Sequence, residues 1–198
     1  AQGTYSDVHT ISALSSATFT ATQIVAITKD VSLQGGYTTA DWTTPDPVAH
    51  PAILDAAGRG RVIVISGTIT PTLTGFRLTG GNAQGLGGMY WGGAGGGLYI
   101  RNAAPIIDRN QIYSNTSPWY GGGLYLYNST ATVSDNLITD NAAQRRGGGI
   151  YVDGGAPLLR GNRFLDNAAG LEGGGVCSYW SRITLSANLF TQNDGGTW

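Results

Sequence analysis

Residues 95–198 divide without a gap into four lines of equal length: GGGLYIRNAAPIIDRNQIYSNTSPWY (95–120), GGGLYLYNSTATVSDNLITDNAAQRR (121–146), GGGIYVDGGAPLLRGNRFLDNAAGLE (147–172) and GGGVCSYWSRITLSANLFTQNDGGTW (173–198). A period of 26 residues lies in the range of solenoids, where each unit contacts mainly its neighbours. Within a line the apolar residues alternate over short runs, as in Leu98-Tyr99-Ile100, Leu124-Tyr125-Leu126 and Ile150-Tyr151-Val152, the two-residue period of strands. Glycine triplets and asparagine-rich corners break helices but suit a chain that bends between short strands. The expected fold is therefore all-β, a parallel β-helix in which one line makes one coil. Each strand pairs with its counterpart about 4.8 Å along the axis, and the general preference of parallel crossovers makes the coil right-handed.

Stacking turns columns of the alignment into ladders. Two columns contain only asparagine: Asn110, Asn136, Asn162 and Asn188, then Asn115, Asn141, Asn167 and Asn193. An amide both donates and accepts, so a stacked column can satisfy its own members, and asparagine tolerates the left-handed backbone of a tight corner. Ile112, Ile138, Phe164 and Phe190 form an inward apolar column, and Ile107, Val133, Leu159 and Leu185 form another facing it. One coil buries roughly five or six apolar side chains at about 1.5–3 kcal/mol each, while ordering its backbone costs about 1–2 kcal/mol per residue. A single coil cannot stand alone, so stability must come from its neighbours.

Each line opens on Gly-Gly-Gly-aliphatic and later carries Phe/Ile-x-x-Asn: Gly95–Leu98 with Ile112 and Asn115, Gly121–Leu124 with Ile138 and Asn141, Gly147–Ile150 with Phe164 and Asn167, Gly173–Val176 with Phe190 and Asn193. This resembles the GGA[ILV] and FxxN repeats of polymorphic outer-membrane proteins, and more broadly the pectate-lyase-like β-helix superfamily. The resemblance is strong over 95–198 and loose over 24–94, and glycine stands where alanine is usual in those repeats. It implies a secreted right-handed β-helix acting as an adhesin, located outside the cell or on its surface.

Ahead of the regular lines, residues 1–23 are polar and out of phase, and read as an atypical N-terminal cap. Val8, Ile11 and Leu14 fit one side of a short helix begun near Ser6 or Asp7, or a strand. The start Ala-Gln-Gly-Thr suits a mature form from which a signal peptide has been removed. Residues 24–94 read as irregular first coils, with strands at Ile24–Ile27, Val31–Leu33, Ala52–Asp55, Arg61–Ser66 and within Ile69–Thr79. Two loop excursions interrupt them, at 38–51 and at 80–94, the second carrying Tyr90 and Trp91. The whole chain is expected to be a single β-helix domain.

Composition narrows the function. Only 12% of residues are charged and the formal net charge is −1, which leaves no basic surface for nucleic acid. No apolar run approaches the roughly 20 residues of a membrane span. Cys177 is the one cysteine and falls in the column of Tyr99, Tyr125 and Tyr151, where it reads as a small-residue replacement. No metal or cofactor is expected. The two histidines, His9 and His50, lie in the cap and a loop, and no motif for an acid cluster or calcium is present.

An enzyme acting on polysaccharide needs two carboxyl groups about 5–9.5 Å apart, and Asp140 and Asp166 share a column. They precede an asparagine at a corner, however, where aspartate is ordinarily a turn former. Lys29 is the only lysine, which argues against a lyase. A binding surface has more to work with: Tyr99, Tyr125 and Tyr151 should project outward as a ladder, joined by Trp119 over Arg145 and by Tyr120 and Arg146 in a column with Glu172. Such faces can stack on sugars, on a cell-surface protein or on one another. Asn115 and Asn128 begin glycosylation sequons. The expected function is thus a non-catalytic structural or adhesive β-helix, self-associating through its ends into a fibre or forming part of a longer surface protein. A polysaccharide-binding or polysaccharide-degrading β-helix is the alternative.

Overall fold

A computed structural model describes residues 23–88 and 92–196. The capping helix expected near Ser6, together with His9, Tyr90 and Trp91, falls outside these residues. The described chain winds through six coils, and three sheets run the length of the stack, each strictly in coil order. The first contains Gln23–Ile27, Arg61–Ser66, Leu98–Arg101, Leu124–Ser129, Ile150–Gly155 and Val176–Tyr179. The second contains Ser32–Gln34, Thr72–Thr74, Ile106–Asp108, Thr132–Ser134, Leu158–Arg160 and Thr184–Ser186. The third contains Ala52–Asp55, Phe76–Thr79, Gln111–Tyr113, Leu137–Thr139, Arg163–Leu165 and Leu189–Thr191. A fourth, narrow sheet of Thr116–Ser117, Ala142–Ala143 and Ala168–Ala169 has no counterpart in the sequence reading.

Every strand pair is parallel, and from Leu98 onward the register is that of the 26-residue period, with Leu98 beside Leu124, Leu124 beside Ile150 and Ile150 beside Val176. In the three long sheets strands of three to six residues suffice because neighbouring coils continue each strand's inward column. Leu73, Ile107, Val133 and Leu159 line one wall of the core, and Leu78, Ile112, Ile138 and Phe164 line the opposing one; all eight are buried. Phe164 and Phe190 stack at 4.6 Å with 5° between their planes. The irregular stretch 38–51 is held by carboxylate turns, Asp41 accepting from the Thr43 N–H and Asp46 from the Val48 and Ala49 N–H groups. The Thr43 hydroxyl, which also donates to Asp41 at 2.7 Å, and these backbone N–H groups hold both carboxyl groups below their usual range.

Two expectations about corners need correction. The left-handed residue is not the ladder asparagine but the one before it: Arg109, Asp135 and Ala187 have φ of 51°, 54° and 52°, and Ser114, Asp140, Asp166 and Gln192 have 53°, 53°, 50° and 54°. With the turn made one residue earlier, the asparagine side chain is aimed into the stack. The glycine triplets are not simply bends either. Only the first of each is left-handed, Gly95, Gly121, Gly147 and Gly173 having φ of 67°, 63°, 67° and 64°. At the second and third, Gly175 apart, a Cβ would meet backbone carbonyls of neighbouring turns, as at Gly149, where Gly175 O would lie 2.5 Å away.

Candidate functional site

The asparagine columns form two continuous hydrogen-bonded ladders. Asn136 shows the pattern: its Nδ2 donates to Asn162 Oδ1 at 3.0 Å and to Ile107 O at 2.8 Å, and its backbone N–H donates to the same Oδ1 at 3.0 Å. Its own Oδ1 accepts from Asn110 N–H at 2.8 Å and Asn110 Nδ2 at 3.1 Å. Asn141 repeats this in the second ladder, with Asn167 Oδ1, Ile112 O and Asn115 as partners. Both hydrogens and both lone pairs of each interior amide are engaged, which is what burial of a polar group requires. The ladder has a direction, each asparagine up to Asn162 and Asn167 donating forward to the next coil. It starts at Asn110 and Asn115, whose Oδ1 atoms accept from the Phe76 and Gly81 N–H groups, and it runs to Asn188 and Asn193.

Tyr99, Tyr125 and Tyr151 do leave the core side of the first sheet and stack, with centroids 5.4 and 5.7 Å apart and planes 11° and 1° from parallel. They are not an accessible ladder. Tyr125 and Tyr151 are 0% and 2% exposed, and Tyr120 is buried as well, folded back onto Tyr151 at 4.6 Å. These rings form a second apolar cluster with Ala94 outside the coil. Trp119 meets Tyr120 edge-on at 5.9 Å. One face of the indole carries the Arg145 guanidinium at 4.0 Å, and the other lies against Gly92, where a Cβ would fall within the ring. Arg146 forms an ion pair with Glu172, Nε to Oε2 at 2.8 Å. The sequence pattern put these residues in the right columns, but alternation along a strand separates only inside from outside the coil and does not show what covers the outside.

The cover is organised by Arg61, a charge the sequence reading passed over. It is buried on the first sheet with its guanidinium 4.6 Å over Tyr99. Its Nε donates to Ala94 O at 2.9 Å, Nη1 to Leu86 O at 3.3 Å and Nη2 to Gly87 O at 2.8 Å. Burial pulls this guanidinium down to about 10, still charged at neutral pH. Arg61 thus clasps the glycine-rich loop onto the tyrosine stack, using its planar fork to collect three carbonyls. Arg61→Met would strand those carbonyls, and limited proteolysis should then cut between residues 82 and 94 at least tenfold faster while the coils stay folded; unchanged cleavage would refute the clasp.

Asp153 is buried on the same outward face, between Tyr127 and Tyr179 in register, and its Oδ2 accepts from the Tyr125 hydroxyl at 3.1 Å. Burial raises its pKa, and the Tyr125 bond only partly opposes that. Burial also pushes the Tyr125 hydroxyl far up, with Asp153 adding to it. An acid whose folded pKa lies above its unfolded value contributes its stability at low pH and loses it as pH rises from the ordinary aspartate value through the raised folded one. Asp153→Asn keeps an acceptor for Tyr125 without the charge. Thermal melts should show the variant higher by a few degrees at pH 7 and level with the parent near pH 3.5, since the depressed carboxyls of Asp41 and Asp46 are common to both. A constant difference across that range would rule out the buried charge.

Asp140 and Asp166, the acid pair that shares a column, sit on left-handed corners, exposed, each donating its backbone N–H to the next coil, to Leu165 O and Thr191 O. Asp140 Oδ2 accepts from the Thr139 hydroxyl at 2.9 Å. They are built as turn residues. Burial, together with Glu172, pushes the Cys177 thiol up, away from the reactive thiolate. Among the described residues no three His, Cys, Asp or Glu side chains are grouped to hold a metal ion, and no helix is long and apolar enough to cross a membrane. Beside the narrow fourth sheet runs an open groove of about 420 Å³, its floor Thr116, Ala142 and Ala168 and its walls including Asn82, Gln84 and Gln144. No curated protein and no solved structure gives a significant match to the chain. The family profile described as the right-handed beta helix region matches residues 57–198, covering the stacked columns, both ladders and the corners between them, and the chain belongs to that family.

Proposed function

We propose that this β-helix is a non-catalytic structural element of an extracellular or cell-surface protein, a rod that is extended end on and presents its sides for adhesion. The observation that carries the reading is the outer face of the coil formed by residues 173–196. Leu185 and Phe190 there are 51% and 45% exposed, whereas Leu159 and Phe164 in the same columns one coil earlier are fully buried. Strands Thr184–Ser186 and Leu189–Thr191 are the outermost of their sheets. An open strand edge with a bare core is a template for another strand layer, and repeated joining of that kind makes a rod or filament. The likeness of the Gly-Gly-Gly and Phe/Ile-x-x-Asn motifs to surface adhesins supports the location. Light scattering against concentration, combined with negative-stain microscopy, tests extension. A chain that stays monomeric at high concentration and releases reducing ends or unsaturated uronides from glycans, with loss of release in Asp140→Asn, would replace this reading with an enzymatic one.

A polysaccharide-binding role is the second reading, favoured by the groove beside Thr116, Ala142 and Ala168, which crosses successive coils and carries amides on its walls. Its test is a glycan binding screen against Gln144→Leu.

A further inference from the structure

Asp153 carries a charge that nothing around it answers. It is buried between Tyr127 and Tyr179 in register on the outward side of the first sheet, and its Oδ2 takes the Tyr125 hydroxyl at 3.1 Å. Among the described residues Oδ1 has no hydrogen-bond partner, and no basic side chain forms an ion pair with the carboxylate. A buried carboxylate is ordinarily paired with a cation, because taking the charge out of water without one is costly. The guanidinium that shares its column, Arg101, stands in the coil before Tyr127 and 5.9 Å over that ring, so the ring separates it from Asp153. Tyr127 is 8° from parallel with Tyr125, and Tyr125 is 1° from parallel with Tyr151 in the stack. Tyr127 therefore presents its faces along the coil axis, one to Arg101 and the other toward the coil of Asp153. Tyr179 follows one coil beyond Asp153, so the two phenols are rooted about 9.6 Å apart, two coil spacings of about 4.8 Å. A cation midway lies about 4.8 Å from either ring, inside the reach of about 6 Å for a cation–π contact, with the free carboxylate oxygen behind it.

We propose that Tyr127, Asp153 and Tyr179 bind a quaternary ammonium group, a trimethylammonium of the choline type, held between the two rings over the carboxylate. Hydrogen-bonding capacity decides among cations. A guanidinium brings five N–H donors and a primary ammonium three, and one free oxygen between two rings leaves most of them buried without an acceptor. A quaternary ammonium brings no donor, and its methyl shell suits the faces of both rings. A divalent metal ion needs several oxygens, and among the described residues no three His, Cys, Asp or Glu side chains are grouped to supply them. The described part of the glycine-rich loop meets the aromatic cluster two coils earlier, Gly88 against Tyr99 and Gly92 against Trp119.

Calorimetry and saturation-transfer NMR on the full chain at neutral pH test this with choline and with its uncharged isostere, in which a tert-butyl group replaces the trimethylammonium. Choline is expected to bind saturably, roughly tenfold or more tighter than the isostere, and to raise the Tm. Asp153→Asn keeps an acceptor for the Tyr125 hydroxyl and should bring choline down to the affinity of the isostere. Tyr179→Ser should weaken both ligands, whereas Tyr179→Phe keeps the ring and should bind as the parent does; circular dichroism melts establish that each variant is folded. The comparison of choline with its isostere needs no variant: absence of saturable choline binding to the parent, or equal affinity for the two compounds, overturns the proposal. So does undiminished choline binding by folded Asp153→Asn. Phosphatidylcholine vesicles run beside free choline separate the two sources of the group, since cosedimentation that is lost in Asp153→Asn assigns a lipid headgroup and choline binding without cosedimentation assigns a soluble ligand.

Discussion

Asn136→Ala should lower the Tm by about 8–15 °C, a larger loss than most single buried-polar replacements produce. Removal of this side chain leaves the Asn110 N–H and Nδ2 without their acceptor, Ile107 O without its donor and Asn162 Oδ1 with a bond missing. Each buried orphan costs about 1–3 kcal/mol. Partial relaxation reduces the sum to about 3–5 kcal/mol, and in a protein of this size each kcal/mol shifts the Tm by about 2–4 °C. Asn136→Asp isolates the donors, because it keeps both acceptor contacts from Asn110 while losing the amide hydrogens and burying a charge, and should be at least as damaging. Asn110→Ala is the milder member of the series, since it lies at the ladder's start, where its Oδ1 serves only the Phe76 N–H. Thermal or urea unfolding followed by circular dichroism measures all three. A fall under 3 °C for Asn136→Ala would mean that water, not the ladder, satisfies these groups.

Gly148→Ala is expected to destabilise by about 3 kcal/mol or more through overpacking of backbone against backbone. A Cβ there would press on Ala168 O and stand 2.6 Å from Gly174 O, and neither can move without parting coils that hydrogen bonds hold about 4.8 Å apart. Gly58→Ala is the control. Gly58 has φ of 75° with nothing within 4 Å of its Cβ direction, so only the left-handed backbone term of about 1 kcal/mol applies. Equal effects of the two substitutions in denaturant melts would show that backbone conformation, not close approach, keeps glycine in the triplets.

The columns were legible in the sequence because a stacked repeat converts sequence separation into vertical distance. Once Asn136 and Asn162 were seen 26 residues apart, their contact followed, and so did the inward Ile138 and Phe164. The corners were misassigned by one residue. Aspartate and serine tolerate the left-handed region as asparagine does, so Asp135-Asn136 and Ser114-Asn115 do not say which member turns. The irregular coils hid more. Their spacing departs from the repeat, so Phe76 and Ala52 had no visible alignment to Asn110, and the pinning role of Arg61 depends on carbonyls at 86, 87 and 94 that no periodicity connects to it.

The sequence by itself determined that the chain is a right-handed parallel β-helix with two amide ladders, because those properties arise from nearest-neighbour stacking of one repeated unit. Only the tertiary structure decided that Tyr125 and Tyr151 are buried, that Arg145 and Gly92 pack on Trp119, and that Arg61 pins the glycine-rich loop over the tyrosine stack. Each of these depends on which non-repeating segment lies over which column, and a period carries no information about the segments that depart from it.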